Sequence, residues 1–198
     1  PTPIRMKIND GILKEPPEVS ILKKLSSTGI VPEFNLFENN LLITEQITGK
    51  TFKQIISTIA RMNISQEAYI GVIKTLYEAS GSLLKTLHQY DVTHGDFNNG
   101  NILVDTKGDL KAIDFQFGKD KRSNSDKQYD YDAAGTFVFD TQLRTIEELE
   151  KRKNLDQGKL ANFVLRESFE KGYTRFTAPT LLSSLQGTGK NVGGGLSN

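Results

Sequence analysis

The sequence contains no cysteine and only two histidines, His88 and His94. Without cysteine the chain has no disulfide framework, no thiolate nucleophile and no cysteine-ligated zinc site, which fits a reducing compartment. Two histidines are too few for most histidine-based metal sites. No apolar run approaches the roughly 18 residues that a membrane-spanning helix needs, and the N-terminus does not have the pattern of a signal peptide. We therefore expect a soluble, cytoplasmic protein without a membrane partner.

The sequence also lacks a large excess of charge of either sign. It has 25 basic and 24 acidic residues among 198, a formal net charge of +1. This balance argues against a protein whose main role is to bind nucleic acid through bulk positive charge. Hydrophobic residues make up 36% of the chain, enough for a buried core in one domain or two small lobes.

Alternating apolar residues predict strands early in the chain, and apolar residues spaced by three and four predict helices. The predicted elements of the first half are a strand over 4–8, a helix over 18–25, strands over 33–37 and 41–45, a short helix over 52–59 and a long helix over 65–90. Ser65 is the expected N-cap of the long helix, and Thr48 with Gly49 marks a break before the helices.

The second half combines a predicted hairpin with further helices. Its predicted elements are strands over 102–105 and 110–114 joined by a turn over 106–109, a polar loop over 118–127, helices over 130–143, 145–151 and 159–170, and a flexible tail over 187–198. Together these elements predict an α+β fold.

One stretch carries residue types suited to phosphoryl transfer. His94-Gly95-Asp96 is followed by Asn101 five positions after Asp96, and Asp114 with Phe115 ends the second hairpin strand, 18 positions after Asp96. Phosphoryl transfer needs magnesium, which prefers carboxylate and amide oxygens such as those of Asp114 and Asn101. It also needs a carboxylate to receive the acceptor's proton, here Asp96. The hairpin brings these three catalytic candidates to one end.

A single match of this kind is more often an ordinary turn or a structural histidine, and we interpret His94 itself as a packing and hydrogen-bonding residue. The joint pattern is far more specific, and it resembles the protein-kinase-like superfamily over about residues 4–169. The His-Gly-Asp form is similar to atypical branches: the RIO kinases, the small KEOPS-complex kinase, and the aminoglycoside and sugar phosphotransferases. The resemblance implies a two-lobed fold with a reduced, β-rich N-lobe over 1–47, a mainly helical C-lobe over 48–186 and a tail over 187–198.

The resemblance also implies a set of nucleotide-binding residues. The backbone C=O of Glu45 and the N–H of Ile47 correspond to the hinge that holds adenine. Leu103 and Ile113 correspond to the floor beneath the nucleotide, although both are equally compatible with being ordinary core residues of a hairpin.

Three further positions follow from the same resemblance. Lys7 corresponds to the strand lysine that contacts the α and β phosphates, with Lys14 as an alternative, and Glu18 to the helix glutamate that pairs with it. Asp130 corresponds to the helix residue that braces the catalytic loop through backbone N–H groups. The implied cofactors are ATP and Mg²⁺.

The sequence departs from the common kinase pattern in three places. Only six residues precede Lys7, which leaves no room for a glycine-rich loop, so either the chain is trimmed or the cover over the phosphates is reduced. Asp-Phe-Gln, at Asp114 to Gln116, replaces Asp-Phe-Gly. Asn98 stands where many protein kinases have a lysine.

Spacing separates the possible branches. Asp130 lies only 16 positions after Asp114, too few for a conventional activation segment, and Asp96 lies 51 positions after Glu45, too few for the inserted helices of antibiotic phosphotransferases. We therefore expect an ATP- and magnesium-dependent atypical Ser/Thr protein kinase with a protein substrate. The alternatives are a small-molecule kinase of the sugar or aminoglycoside type, and a degenerate nucleotide-binding pseudokinase that acts through a partner protein.

Overall fold

Two three-stranded antiparallel sheets and five α-helices make up the residues that the structure, a computed structural model, describes: 4–8 (backbone only), 15–150 and 164–174. The strands are β1 Ile4–Ile8, β2 Phe34–Glu38, β3 Leu41–Glu45, β4 Gly49–Thr51, β5 Ile102–Asp105 and β6 Leu110–Ala112. The helices are α1 Pro17–Leu25, α2 Phe52–Ala60, α3 Gln66–Gln89, α4 Asn124–Glu150 and α5 Leu165–Thr174. The predicted tail over 187–198 lies outside the described residues.

The first sheet has the strand order β1-β3-β2, and its three strands match the predicted ones within one residue. Its register places Lys7 opposite Leu42. Helix α1 begins at Pro17, where the missing N–H costs little because the first turn has no intrahelical acceptor for it. Four apolar residues of α1 are buried in the core, namely Val19, Ile21, Leu22 and Leu25.

The second sheet has the order β4-β5-β6, and it corrects the prediction of a simple break at Thr48 and Gly49. Gly49 begins a short strand whose backbone lies so close to β5 that a Cβ there would sit 2.2 Å from the Val104 oxygen. Only glycine fits such an approach. Thr51 then ends the strand and caps α2, because its Oγ1 accepts from Gln54 N while the Gln54 side chain accepts from Thr51 N.

Helix α3 has the predicted bounds within one residue, and the Ser65 side chain accepts from Ala68 N as expected of an N-cap. Its middle crosses α5 at very short range. A Cβ at Gly81 would lie 2.0 Å from the Phe169 oxygen, and one at Gly172 would lie 1.7 Å from the Glu78 oxygen. The two glycines therefore set the crossing that attaches α5 to the rest of the molecule.

Helix α4 differs most from prediction, since one helix replaces the two expected over 130–143 and 145–151. Thr145 does not interrupt it; this residue is buried in a stripe of α4 side chains at helical spacing, formed by Asp130, Ala134, Val138, Thr141, Thr145 and Leu149. The helix also begins six residues earlier than expected. Ser123 and Asp126 exchange side-chain-to-backbone hydrogen bonds there, a capping box written in the sequence as Ser-x-x-Asp.

Two other bounds differ. The last helix reaches Thr174 rather than residue 170, and residues 159–163 of the predicted element lie outside the described residues. Strand β6 ends at Ala112 instead of 114 because Asp114 has a φ of +64°, which is incompatible with a strand. Within the described ranges, no helix is both long and apolar enough to cross a membrane.

Candidate active site

The loop between α3 and β5 brings Asp96 and Asn101 into direct contact. The Asn101 Nδ2 group donates to Asp96 Oδ2 at 2.9 Å and to the Asp96 backbone oxygen at 2.9 Å. Asn98 Nδ2 donates to Asp96 Oδ1 at 2.9 Å, so both carboxylate oxygens are oriented by amides. Asp96 is nevertheless exposed, which leaves room for a reactant beside it.

Asp114 follows the second hairpin strand close to this contact. Ile113 N donates to the backbone oxygen of Asn101 at 3.0 Å. This bond ties the residue before Asp114 to the loop residue that contacts Asp96. Asp114 itself takes the left-handed conformation, a backbone region that costs free energy for residues other than glycine and that Asp and Asn tolerate best. The structure thus brings the three catalytic candidates to one end of the hairpin, while their roles stay predictions.

The donor set at this end suits a magnesium ion. Asn101 uses its amide nitrogen for Asp96, and no described residue donates to its Oδ1, so this oxygen remains for a cation. Asp114 adds a carboxylate from the adjoining segment. Among the described residues no cluster of three or more His, Asp and Glu side chains forms a metal site. One carboxylate and one amide fit magnesium that completes its shell with phosphate oxygens and water.

His94 is a buried structural residue, as predicted. Its side chain is fully buried between Phe97 and Phe115, with ring centroids 5.5 and 4.6 Å away. Its Nε2 lies 3.1 Å from the Ile113 oxygen, which can only accept, while Asp96 N donates to its Nδ1 at 3.3 Å. A neutral ring with the proton on Nε2 satisfies both contacts. Burial lowers the pKa of His94 more than the nearby carboxylates raise it, which favours this neutral form.

Asp130 braces the loop through backbone N–H groups, which confirms the prediction for this residue. Its carboxylate accepts from His94 N and Gly95 N, each at 2.8 Å, and lies 2.9 Å from His88 Nε2. Burial alone would raise the pKa of Asp130, but the three hydrogen bonds together hold it below its usual value. The charged carboxylate is therefore the form that fixes the loop.

This bracing extends to α5 through a contact that the sequence did not suggest. The Tyr173 hydroxyl lies 2.7 Å from His88 Nδ1, and the other nitrogen of this ring contacts Asp130. Because the carboxylate requires a donor, His88 Nε2 carries a proton, and the hydroxyl donates to Nδ1 when the ring is neutral. The chain Tyr173–His88–Asp130 thus connects the last described helix to the loop between α3 and β5 that carries Asp96.

Asn99 is a second residue that the sequence did not single out. Its Oδ1 accepts from the Tyr77 hydroxyl at 3.0 Å, and its Nδ2 donates to Thr141 Oγ1 at 2.7 Å. Its backbone oxygen accepts from Lys53 N at 2.9 Å. Asn99 therefore joins α2, α3 and α4 to the loop. Its partners lie 22 to 46 positions away in the sequence, so these contacts depend on the fold.

Two of the predicted nucleotide-binding residues, Glu18 and Ile113, line one small cavity together with Asp114. Glu18 is only 7% exposed, an unusual burial for a carboxylate. Leu42 of β3 lines the same cavity, and the register of the sheet places Lys7 opposite Leu42. The side chain of Lys7 and the whole of the alternative residue, Lys14, lie outside the described part of the chain.

The other three predicted residues do not line that cavity. Glu45 ends β3, and its N–H donates to the Glu33 oxygen at 2.8 Å, whereas the predicted adenine contact uses its C=O. Ile47 follows outside any strand, and no described residue accepts from its N–H. Leu103 is half-buried in the middle of β5, opposite Thr51 and Lys111.

This chain is similar to known proteins over most of its length. The family model described as protein kinase domain matches residues 6–153. The "Probable serine/threonine-protein kinase mkcE" of Dictyostelium discoideum is 30% identical over 107 residues, which is 52% of this chain and 14% of that protein. The chain thus spans a small part of the length of this relative. The family match begins within β1 and extends through the Asp96 loop, the hairpin and α4, and this chain belongs to the protein kinase domain family.

Proposed function

We propose that this chain is an ATP- and magnesium-dependent phosphotransferase of the atypical Ser/Thr protein kinase type. The observation that carries the proposal is the contact between Asp96 and Asn101, together with the backbone hydrogen bond that ties Asn101 to Ile113, the neighbour of Asp114. Two potential metal ligands, Asn101 and Asp114, thus lie near a potential base, Asp96. The Asp130 carboxylate fixes the backbone just before Asp96.

The proposed reaction forms a bond between the acceptor hydroxyl oxygen and the γ-phosphorus of ATP. The bond between that phosphorus and the β–γ bridging oxygen breaks, and its electron pair leaves with ADP. The acceptor proton passes to Asp96, whose carboxylate is exposed and held in place by Asn98 and Asn101.

The same residues orient the donor substrate in this proposal. Asn101 Oδ1 and the Asp114 carboxylate would hold Mg²⁺, which supplies neutralisation of phosphate charge when bound. Lys7 would contact the α and β phosphates and pair with Glu18. The backbone groups of Glu45 and Ile47 would hold the adenine, above Leu103 and Ile113.

The atypical assignment rests on the segment between Asp114 and α4. Only residues 115–123 separate them, and this segment is fixed to the start of the catalytic loop by paired backbone hydrogen bonds between Thr93 and Lys119, of 2.9 and 3.1 Å. A segment this short has no space for a phosphorylated activation loop. The His-Gly-Asp form supports the same RIO- or KEOPS-like assignment.

The test is transfer from radiolabelled ATP to protein acceptors, with two substitutions. We expect Asp114→Asn to abolish transfer because magnesium loses its anionic ligand, while asparagine still tolerates the left-handed backbone. We expect Asp96→Asn to lower kcat by about 10²- to 10⁴-fold with ATP affinity unchanged, since this residue faces the acceptor. Asp132→Asn, an exposed change on α4, is the matched control. Full activity of Asp114→Asn would refute the proposed site.

A further inference from the structure

A groove of about 850 Å³ lies beside the catalytic loop, between α2 and α4. Asn99 of the loop lines one end of it. Its walls carry three basic side chains, Lys53 near the start of α2, Arg61 just after the end of α2, and Arg144 on α4. The groove is separate from the small cavity that contains Glu18, so it is not part of the proposed nucleotide site.

Hydrogen bonds define which end of the groove adjoins the catalytic loop. Lys53 N donates to the Asn99 oxygen, and Asn99 Nδ2 donates to Thr141 Oγ1. From this end, α2 extends towards Arg61 and α4 towards Glu147. The eight residue-to-residue steps from Lys53 to Arg61 span about 12 Å along a helix. An extended peptide covers that length with about four residues, so the groove can receive the neighbours of an acceptor residue that lies near Asp96.

The three basic side chains of the groove are not engaged in ion pairs within the described part of the chain. Lys53, Arg61 and Arg144 form no side-chain hydrogen bond or ion pair with any described residue, and all three are exposed. Two acidic side chains, Asp140 and Glu147, also line the groove, which leaves an excess of one positive charge. An anionic group bound in the groove can form charge-assisted hydrogen bonds with these basic side chains.

One residue in the wall of the groove has a buried hydroxyl that no described residue bonds. Thr145 lines the groove and is only 2% exposed, yet its Oγ1 has no hydrogen-bond partner among the described residues. Buried polar atoms are nearly always paired, and a helical threonine can otherwise bond to the carbonyl four residues back. This oxygen has almost no accessible surface, so a peptide backbone in the groove would reach it only if the Thr145 side chain turned towards the groove.

We propose that this groove binds the protein acceptor, and that the acceptor carries an acidic or phosphorylated residue within about four positions of the target Ser or Thr. This inference rests on the proposed phosphotransferase function. Lys53 and Arg144 recognise the anionic side chain. The class of substrate is thus an acidic peptide segment.

The first test measures binding without catalysis. Fluorescent peptides with one serine in an alanine background carry Asp, phosphoserine, Ala or Lys at positions two to four on either side, and their anisotropy is measured with the full chain at low salt. We expect the anionic peptides to bind about tenfold more tightly than the Ala peptides. The Asp and phosphoserine arms distinguish a carboxylate from a phosphate. Lys53→Glu and Arg144→Glu remove the preference, whereas Lys107→Glu, in the exposed hairpin turn, retains it.

Lys53→Glu is the safer variant for folding because an acidic residue in the first turn of a helix interacts favourably with its dipole. The same peptides are then tested for transfer with ATP and magnesium, so that the two proposals fail separately. Equal binding of all peptides, or equal transfer to all of them, overturns the groove assignment. Selective binding of anionic peptides without any transfer supports the groove and overturns the phosphotransferase. A preference that survives both charge reversals also overturns the assignment.

Discussion

The two sides of the catalytic loop differ in burial and in bonding. On the supporting side, His88, His94 and Asp130 are 3%, 0% and 3% exposed, and their polar contacts are to each other, to the backbone and to the half-buried Tyr173. On the reactive side, Asp96 is exposed and is held by side-chain amides, among them Asn101. The supporting side has the properties of a core, and the reactive side has those of a binding surface.

This difference shows how a rigid site can remain open to reactants. The hydrogen bonds to Asp130 come from the backbone of His94 and Gly95, so they fix the chain immediately before Asp96 without covering its carboxylate. Position is set by buried groups, and the groups assigned to chemistry stay accessible. Changes on the supporting side should therefore reduce stability, whereas changes on the reactive side should reduce activity alone.

The largest effect on stability is expected for Asp130→Ala. It leaves two backbone N–H groups and His88 Nε2 without their acceptor, which should lower the free energy of unfolding by about 3–5 kcal/mol. Urea unfolding followed by circular dichroism measures this. Asp132→Ala, an exposed change on the same helix, should stay within about 0.5 kcal/mol. Equal losses for the two variants would show that the bracing contributes nothing.

Gly95 lies between the buried supporting residues and Asp96. Alanine substitutions at Gly95 and at Gly71 should change the stability of the fold in opposite directions. Its φ is +78°, and a Cβ would lie 2.3 Å from the Phe117 oxygen, so Gly95→Ala should destabilise the fold by about 2 kcal/mol or more. Gly71, on an exposed face of α3 with open space around it, should gain about 0.5–1 kcal/mol when changed to alanine. Thermal unfolding of both variants checks the signs. A stabilising Gly95→Ala would contradict the geometry.

The close approach of Gly95 to the Phe117 oxygen explains why the motif has glycine between His94 and Asp96. The sequence showed this glycine but gave no reason for it. Local signals predicted what depends on neighbours in sequence: the Ser65 cap, the hairpin, and the meeting of Asp96 with Asn101 across five positions. The Ser123–Asp126 capping box was also visible, and applying it would have placed the start of α4 correctly.

Contacts between distant elements could not be predicted in this way. The bonds of Asn99 to Tyr77 and Thr141, and the crossing at Gly81 and Gly172, depend on how helices pack after they form. Asp130 was identified only because the family resemblance supplied its partners. The buried stripe of α4 contains polar residues such as Thr145. A prediction based only on apolar residues therefore split α4 into two helices.

The pH dependence of stability tests the buried neutral state of His94. Its pKa is lowered in the folded chain by burial, so below a pH of about 6.5 the unfolded chain binds protons that the folded chain does not. The free energy of unfolding therefore has its full value above that pH. It decreases as the pH falls, by about 1 kcal/mol between pH 7.5 and 5.5. Urea unfolding at both values measures the loss, and His94→Gln should reduce it. An unchanged pH dependence in the variant would exclude His94 as its source.

The smallest expected effect on stability concerns Tyr173, the α5 residue that contacts His88. Tyr173→Phe removes only the hydroxyl that contacts His88 Nδ1, which should cost about 1 kcal/mol of unfolding free energy. If the chain Tyr173–His88–Asp130 positions the loop, amide hydrogen exchange at His94 and Gly95 should also accelerate relative to that of the α3 core. Tyr129→Phe, at a side chain that is 77% exposed, should change neither quantity. A loss of stability in Tyr173→Phe with unaltered exchange at the loop would mean that α5 adds packing to the fold but does not hold the catalytic loop.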